Sequence, residues 1–176
     1  YFCCRRCIMK KTRRFVALLL AAVLALALFT ACGAAGAEEP QSAIGKVYED
    51  WFVEKLNSKR PADKPVQKVD VKRSEMRAAL AKIGEDRKFT ARDGYYKDGR
   101  DYWLILSDPR AWDTNVLKDS TVDAVALTPE NLTKYGPSYF IYEVQLYRIK
   151  EYDIATRVMD GNTYVAVYLH VEEAKS

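Results

Sequence analysis

The segment "FTARDGYYKDGRDYWLILS", Phe89 to Ser107, is where the chain changes its period. Upstream of it apolar residues recur at three and four; from Gly84 onward they recur at two, the spacing of a strand with alternate side chains on opposite faces. Asp98-Gly99 divides the segment into "FTARDGYYK" and "RDYWLILS". That division predicts a hairpin with a type I′ turn, which needs positive φ at both central residues.

Working toward the N-terminus, Ile44, Val47, Tyr48, Trp51, Phe52, Lys55 and Leu56 fall at helical spacing, with Ser42 as the N-cap and Pro61 as the limit. Lys59 to Lys68 is punctuated by proline and reads as a linker. A second helix is expected over Ser74 to Ile83, with Met76, Ala79, Leu80 and Ile83 on one face and Gly84 as its stop.

Working toward the C-terminus, Val122 to Leu127 reads as a strand. Thr128-Pro129-Glu130 is expected to open a two-turn helix that closes at Gly136-Pro137. Tyr139 to Ile149 reads as a long strand, and Ile154 to Met159 pairs with Thr163 to Val171 across Asp160-Gly161-Asn162. Asp98 to Tyr102 and Asp160 to Tyr164 share the pattern D-G-x-x-Y, read as one turn chemistry used twice.

Helices first and antiparallel strands afterwards predict an α+β domain, with two N-terminal helices packed on one face of an antiparallel sheet of five or six strands. This order of elements resembles that of nuclear-transport-factor-like and cystatin-like domains, whose curved sheet wraps a helix.

The N-terminal region has a different character. Met9-Lys10-Lys11-Thr12-Arg13-Arg14 is a basic start, and Phe15 to Phe29 is a run of fifteen apolar residues. A membrane-spanning helix needs about 20 apolar residues, so the run suits the core of a signal peptide better than an anchor. Thr30 and Ala31 then precede Cys32. Together these features resemble the lipobox signal of bacterial lipoproteins, with Phe29 where that family usually carries Leu. The resemblance implies diacylglycerol on Cys32 and cleavage before it, hence a lipid anchor on the extracytoplasmic side of the cell membrane. Ala35-Gly36-Ala37 offers an alternative, cleavage after Ala37 to release a soluble secreted protein; an uncleaved single span is another. Thr12-Arg13-Arg14 hints at a twin-arginine signal, but Phe15 lies one place too early for it. Residues 1–8, with Cys3, Cys4 and Cys7, read as sequence upstream of a start at Met9. The organisation expected is a leader at 1–31, a flexible tether at 32–41 and one domain at 42–176. The ten-residue tether would hold that domain about 20 Å from the lipid.

The leader also distorts the composition. Six of the 28 basic residues and none of the 24 acids fall in positions 1–31, so the formal charge of +4 becomes 22 bases against 24 acids, a net of −2, for the remainder. Nucleic-acid binding, which needs concentrated positive charge, loses its support. All four cysteines lie at or before Cys32, leaving no thiol for a disulfide, a metal or a nucleophile in the domain.

No catalytic pattern is recognisable. His170, the single histidine, shares a strand face with Tyr164, Ala166 and Tyr168 by two-residue spacing and reads as a surface or edge residue. No serine sits in G-x-S-x-G, no acids follow the calcium-loop order, and no glycine-rich phosphate loop occurs. No metal and no cofactor other than the lipid are expected. A pair of facing carboxylates, as in a glycan hydrolase, needs no motif and stays open as the competing class. "GPSYFIYEVQL", Gly136 to Leu146, is similar to the closing strand of immunophilin-type prolyl isomerases over about ten residues, without their G-W-D segment.

What stands out is twelve tyrosines and three tryptophans. Trp112 lies in the long connection Ser107 to Ser120, beside Asp108, Arg110 and Asp113, with Tyr135 as a possible neighbour. Aromatics beside hydrogen-bonding groups on loops suit glycan, peptide or protein recognition; the competing reading folds Trp112 back as a plug for a sheet edge. The function these observations favour is a membrane-tethered, non-catalytic binding or assembly module of the cell envelope.

Overall fold

Central to the domain in the computed structural model is a strand buried at every position from Thr163 to Leu169. The structure describes residues 41–107, 119–141 and 143–172, the side chains of Glu143 and Val144 excepted. These residues all fall within one unit, Pro40–Ser176. The leader, Cys32 and the residues up to Pro40 lie outside the description.

Helix α1 (Ala43–Asn57) begins at Ser42, whose Oγ accepts from the Gly45 amide at 3.2 Å and lies 2.7 Å from Thr163 Oγ1. Tyr48, Phe52 and Leu56, four residues apart, form its fully buried stripe. Val47 is exposed, outside the stripe that the spacing assigns to it.

The Pro-rich segment after α1 holds a short strand, β1 (Gln67–Lys68), before α2 (Arg73–Ala81). Strand β2 (Lys88–Thr90), a 3-10 turn (Ala91–Gly94), β3 (Tyr95–Asp98) and β4 (Asp101–Ile105) follow. After the long connection come β5 (Thr121–Asp123), β6 (Ala126–Leu127), 3-10 turns at Leu132–Tyr135, Pro137–Tyr139 and Glu143–Arg148, then β7 (Ile149–Met159) and β8 (Asn162–Val171).

The sheet runs β1-β7-β8-β4-β3, with β6 also on β8, and a separate pair joins β2 to β5. Among the described residues the domain is therefore α+β, with two α-helices and a main sheet of six strands, but that sheet is mixed and not purely antiparallel: β1 is parallel to β7. Nor do the helices share a face. Val165, Val167 and Leu169 pack with Tyr48 and Phe52 of α1, whereas Tyr164, Ala166 and Tyr168 pack with Met76 and Leu80 of α2. Both parities of β8 are apolar, so each face needs a cover, and one helix supplies each.

The α2 layer is fastened to β7 at both ends. Arg73 reaches the fully buried Asp153 through Nε and Nη2, at 3.0 and 2.6 Å. Arg157 Nη1 donates to the Leu80 and Ile83 carbonyls, at 2.7 and 3.1 Å, capping the helix C-terminus.

Four other expectations are corrected. The two hairpins use different turns: the loop between β3 and β4 is Gly99-Arg100, with positive φ only at Gly99 (58°), the pattern of a type II′ turn. Between β7 and β8 both Asp160 (48°) and Gly161 (76°) are positive, as in type I′. Residues 122–127 do not form one strand; the chain leaves β2 at Asp123 and joins β8 at Ala126.

In place of a continuous two-turn helix from Thr128 there is a turn at 129–131 and then a 3-10 turn, Leu132–Tyr135, that closes at Gly136 as expected. Thr128 Oγ1 accepts from the Asn131 amide, while Asn131 bonds the Thr128 amide and the Ala126 carbonyl, a closed set that competes with helical bonding. Lastly, Pro137–Tyr139 and Glu143–Arg148 are 3-10 turns where a long strand was expected. The neighbouring edges are taken: β7 pairs with β1 and β8 on its two sides. The likeness of Gly136 to Leu146 to an immunophilin closing strand falls with that strand.

Candidate ligand-binding cavity

The 3-10 turns Pro137–Tyr139 and Glu143–Arg148 and the α1 face of the sheet line a partly open cavity of about 750 Å³. Its floor is sheet: Tyr102 of β4 and its cross-strand partner Leu169 of β8, with Val171 beyond. Phe140 and Ile141 supply apolar wall. Phe140 is held edge-on against Phe52 of α1 (5.6 Å between centroids) and against Tyr139 (5.3 Å). Tyr139 in turn donates its hydroxyl to the Ser107 carbonyl and meets Tyr135 edge-on at 5.1 Å. This aromatic chain gives the wall a defined position without regular secondary structure.

Two arginines face the cavity from opposite elements, Arg100 from the β3–β4 turn and Arg148 from the end of the last 3-10 turn. Arg148 is placed by a reciprocal link to the last described residue: its Nε donates to the Glu172 carbonyl at 2.7 Å and its own carbonyl accepts from the Glu172 amide at 2.9 Å. Lys97 lies 5.3 Å from the centroid of the Tyr102 ring. None of the lining residues is acidic.

Of the residues singled out from sequence, Asp108, Arg110, Trp112 and Asp113 lie outside the described residues. Tyr135 is buried in the α1 core, with its carbonyl accepting from Tyr48 Oη at 2.7 Å. The lining residues of the 137–148 segment were missed because the segment reads as a strand. Its warning signal was four consecutive apolar residues, Tyr139 to Tyr142, without the alternation of a half-buried strand.

The polar groups on the α2 face form a second cluster. Asp101 Oδ1 accepts from Tyr168 Oη at 2.8 Å and lies 2.7 Å from His170 Nδ1. Burial alone would raise the Asp101 carboxyl, but the bonds from His170 and Tyr168 and the charges of His170 and Lys72 outweigh it and hold its pKa below the usual value. Burial and the Asp101 bond push the Tyr168 hydroxyl well up. His170 thus tops the strand face expected for it, oriented by the carboxylate across the ladder at Asp101↔His170.

The buried carboxylates are likewise paired. Glu49 meets Lys68 at 2.6 Å, Gln41 Nε2 at 3.0 Å and Tyr152 Oη at 3.2 Å. Burial raises its pKa, and these bonds together with the Lys68 charge bring it below the usual value. Among the described residues no group of three or more His, Cys, Asp or Glu side chains is placed to hold a metal ion, and no helix is long and apolar enough to cross a membrane. No family model matches the chain, and no curated protein or solved structure matches it either.

Proposed function

We propose that this is a membrane-tethered, extracytoplasmic binding module of a bacterial cell envelope, held by lipid on Cys32, whose cavity on the α1 face receives its ligand. The observation that carries the binding half is the cavity itself. Its volume falls within the range of about 300–1,000 Å³ common for small-molecule sites, and its walls are mostly apolar with a few polar groups. Support for the tether is the basic start, short apolar run and small residues before Cys32. An envelope glycan or peptide fragment remains the ligand class first to be tested. A carboxylate-dependent glycan hydrolase is the weaker reading: among the described residues the cavity lining contributes no acid, and Glu49 and Asp153 are each committed to a cation. Of the nuclear-transport-factor-like or cystatin-like arrangement, the layer of α1 on a sheet face is consistent; the helix on the other face is an addition to it.

Two measurements test the two halves. Cys32→Ala should leave unprocessed precursor in the membrane and abolish labelling by a fatty-acid analogue; normal processing to a new N-terminus at Glu38 would refute the tether. Saturation-transfer NMR against envelope glycan, peptide and acyl fragments should detect at least one ligand that binds the natural chain but not Ile141→Trp, which fills the cavity. Equal signals from both proteins for every fragment would remove the cavity as the site.

A further inference from the structure

The charges around the cavity narrow what it takes. We infer that its ligand is a small organic carboxylate with an apolar body, a reading that rests on the cavity being the binding site. Arg100 and Arg148 both line the cavity and no acid does, so an anion entering it gains attraction from both sides and meets no like charge on the lining. Lys97, over the Tyr102 ring, adds a third cation beside the floor.

Arg148 has the geometry to receive the anionic group. Its Nε is spent on the Glu172 carbonyl, which fixes the plane of the guanidinium. Among the described residues the two terminal amino groups make no hydrogen bond, and they present the paired donors that match a carboxylate edge-on. The remaining floor and wall, Tyr102, Leu169, Phe140 and Ile141, are aromatic or aliphatic and suit a ring or short acyl body. Ser138 and Gln145 add neutral polar groups to the lining, but its charged side chains, Arg100 and Arg148, are both cationic, which favours an anionic ligand over a neutral one.

The test is isothermal titration of the full-length chain in phosphatidylcholine nanodiscs, with empty nanodiscs as the blank. The probes share one apolar body and differ in charge: 2-naphthoate, 2-naphthalenemethanol and 2-naphthylmethylammonium. Naphthoate should bind about tenfold or more tightly than the alcohol, the size of effect expected for one charge-assisted bond, and the ammonium more weakly than either. Arg148→Gln should erase the preference for naphthoate, Arg148→Lys should retain part of it, and Ile141→Trp should abolish binding of all three. The charge series on the natural chain needs no variant to fold. Binding that is lost in Ile141→Trp yet is indifferent to probe charge, or an anion preference that survives Arg148→Gln, would overturn the carboxylate inference and leave the cavity as a binding site. Failure of every probe to bind, or binding untouched by Ile141→Trp, would remove the cavity reading and this inference with it.

Discussion

Asp153 is fully buried in the middle of β7, and its tolerance there depends on Arg73 and on the Ile154 amide, which donates to Oδ1 at 2.9 Å. A buried carboxylate is costly unless its lone pairs are satisfied, and removing one partner strands the other. Truncating the acid removes the buried counter-charge that Arg73 reaches, so Asp153→Ala should cost about 3 kcal/mol in a urea melt. Arg73→Met combined with Asp153→Leu should cost less than Asp153→Ala alone, because the pair is then replaced by apolar groups of similar volume. A double variant that is weaker than the single would show that the pair acts mainly through packing. At the same scale, Tyr135 illustrates how an aromatic near a presumed loop site can be taken by the core: its ring is wanted against Tyr139, and its carbonyl by Tyr48.

Turns and close approaches are properties of elements, and three glycines separate their causes. Gly99 and Gly161 have positive φ, and a Cβ at either meets nothing within 4 Å. Substitution by alanine there brings backbone strain alone, about 1 kcal/mol each. At Gly94 the conflict is steric: a Cβ would sit 2.0 Å from the Phe89 ring, which β2 holds in the α2 core. Gly94→Ala should therefore lose clearly more stability than either turn variant, and Phe89→Leu should recover part of the loss. Thermal melts of the four proteins check the order; a Gly94→Ala protein as stable as the turn variants would show that β2 yields freely. The β7–β8 hairpin and α2, tied by Arg73 and Arg157, form the most interlocked part of the domain.

For the whole molecule, ionisation sets the pH range of stability. Glu49 and Asp101 have folded pKa values below their ordinary ones. Each therefore adds stability that is present above its unfolded value, about 4.3 and 3.9 respectively, and lost as pH falls through the lower folded value. Tyr48, Tyr152 and Tyr168 are raised, chiefly by burial, so their contribution is present below about pH 10 and lost above it as they ionise. Melting midpoints should be level between these limits as far as these groups decide, and fall below about pH 4. Glu49→Gln should be less stable than the natural chain at pH 7 but show a shallower acid limb. An unchanged limb would assign acid unfolding to other carboxylates.

Some of this was legible without coordinates. The helical spacing of Tyr48, Phe52 and Leu56, the stripe of Met76, Ala79, Leu80 and Ile83, and the Asp160-Gly161 hairpin rest on local periodicity and turn chemistry, which neighbouring residues determine by themselves. The apolar run before Cys32 carries its expectation of an address in the same local way. Tertiary structure alone decided which helix covers which parity of β8, that Gln67–Lys68 joins β7 in parallel, and that 121–127 serves two sheets. It also decided that the aromatic 137–148 segment folds into 3-10 turns and walls a cavity between Arg100 and Arg148. Periodicity says which side of its own axis a residue faces. Which partner lies on that side, and whether a sheet edge is free to accept a strand, depend on residues far away in the chain.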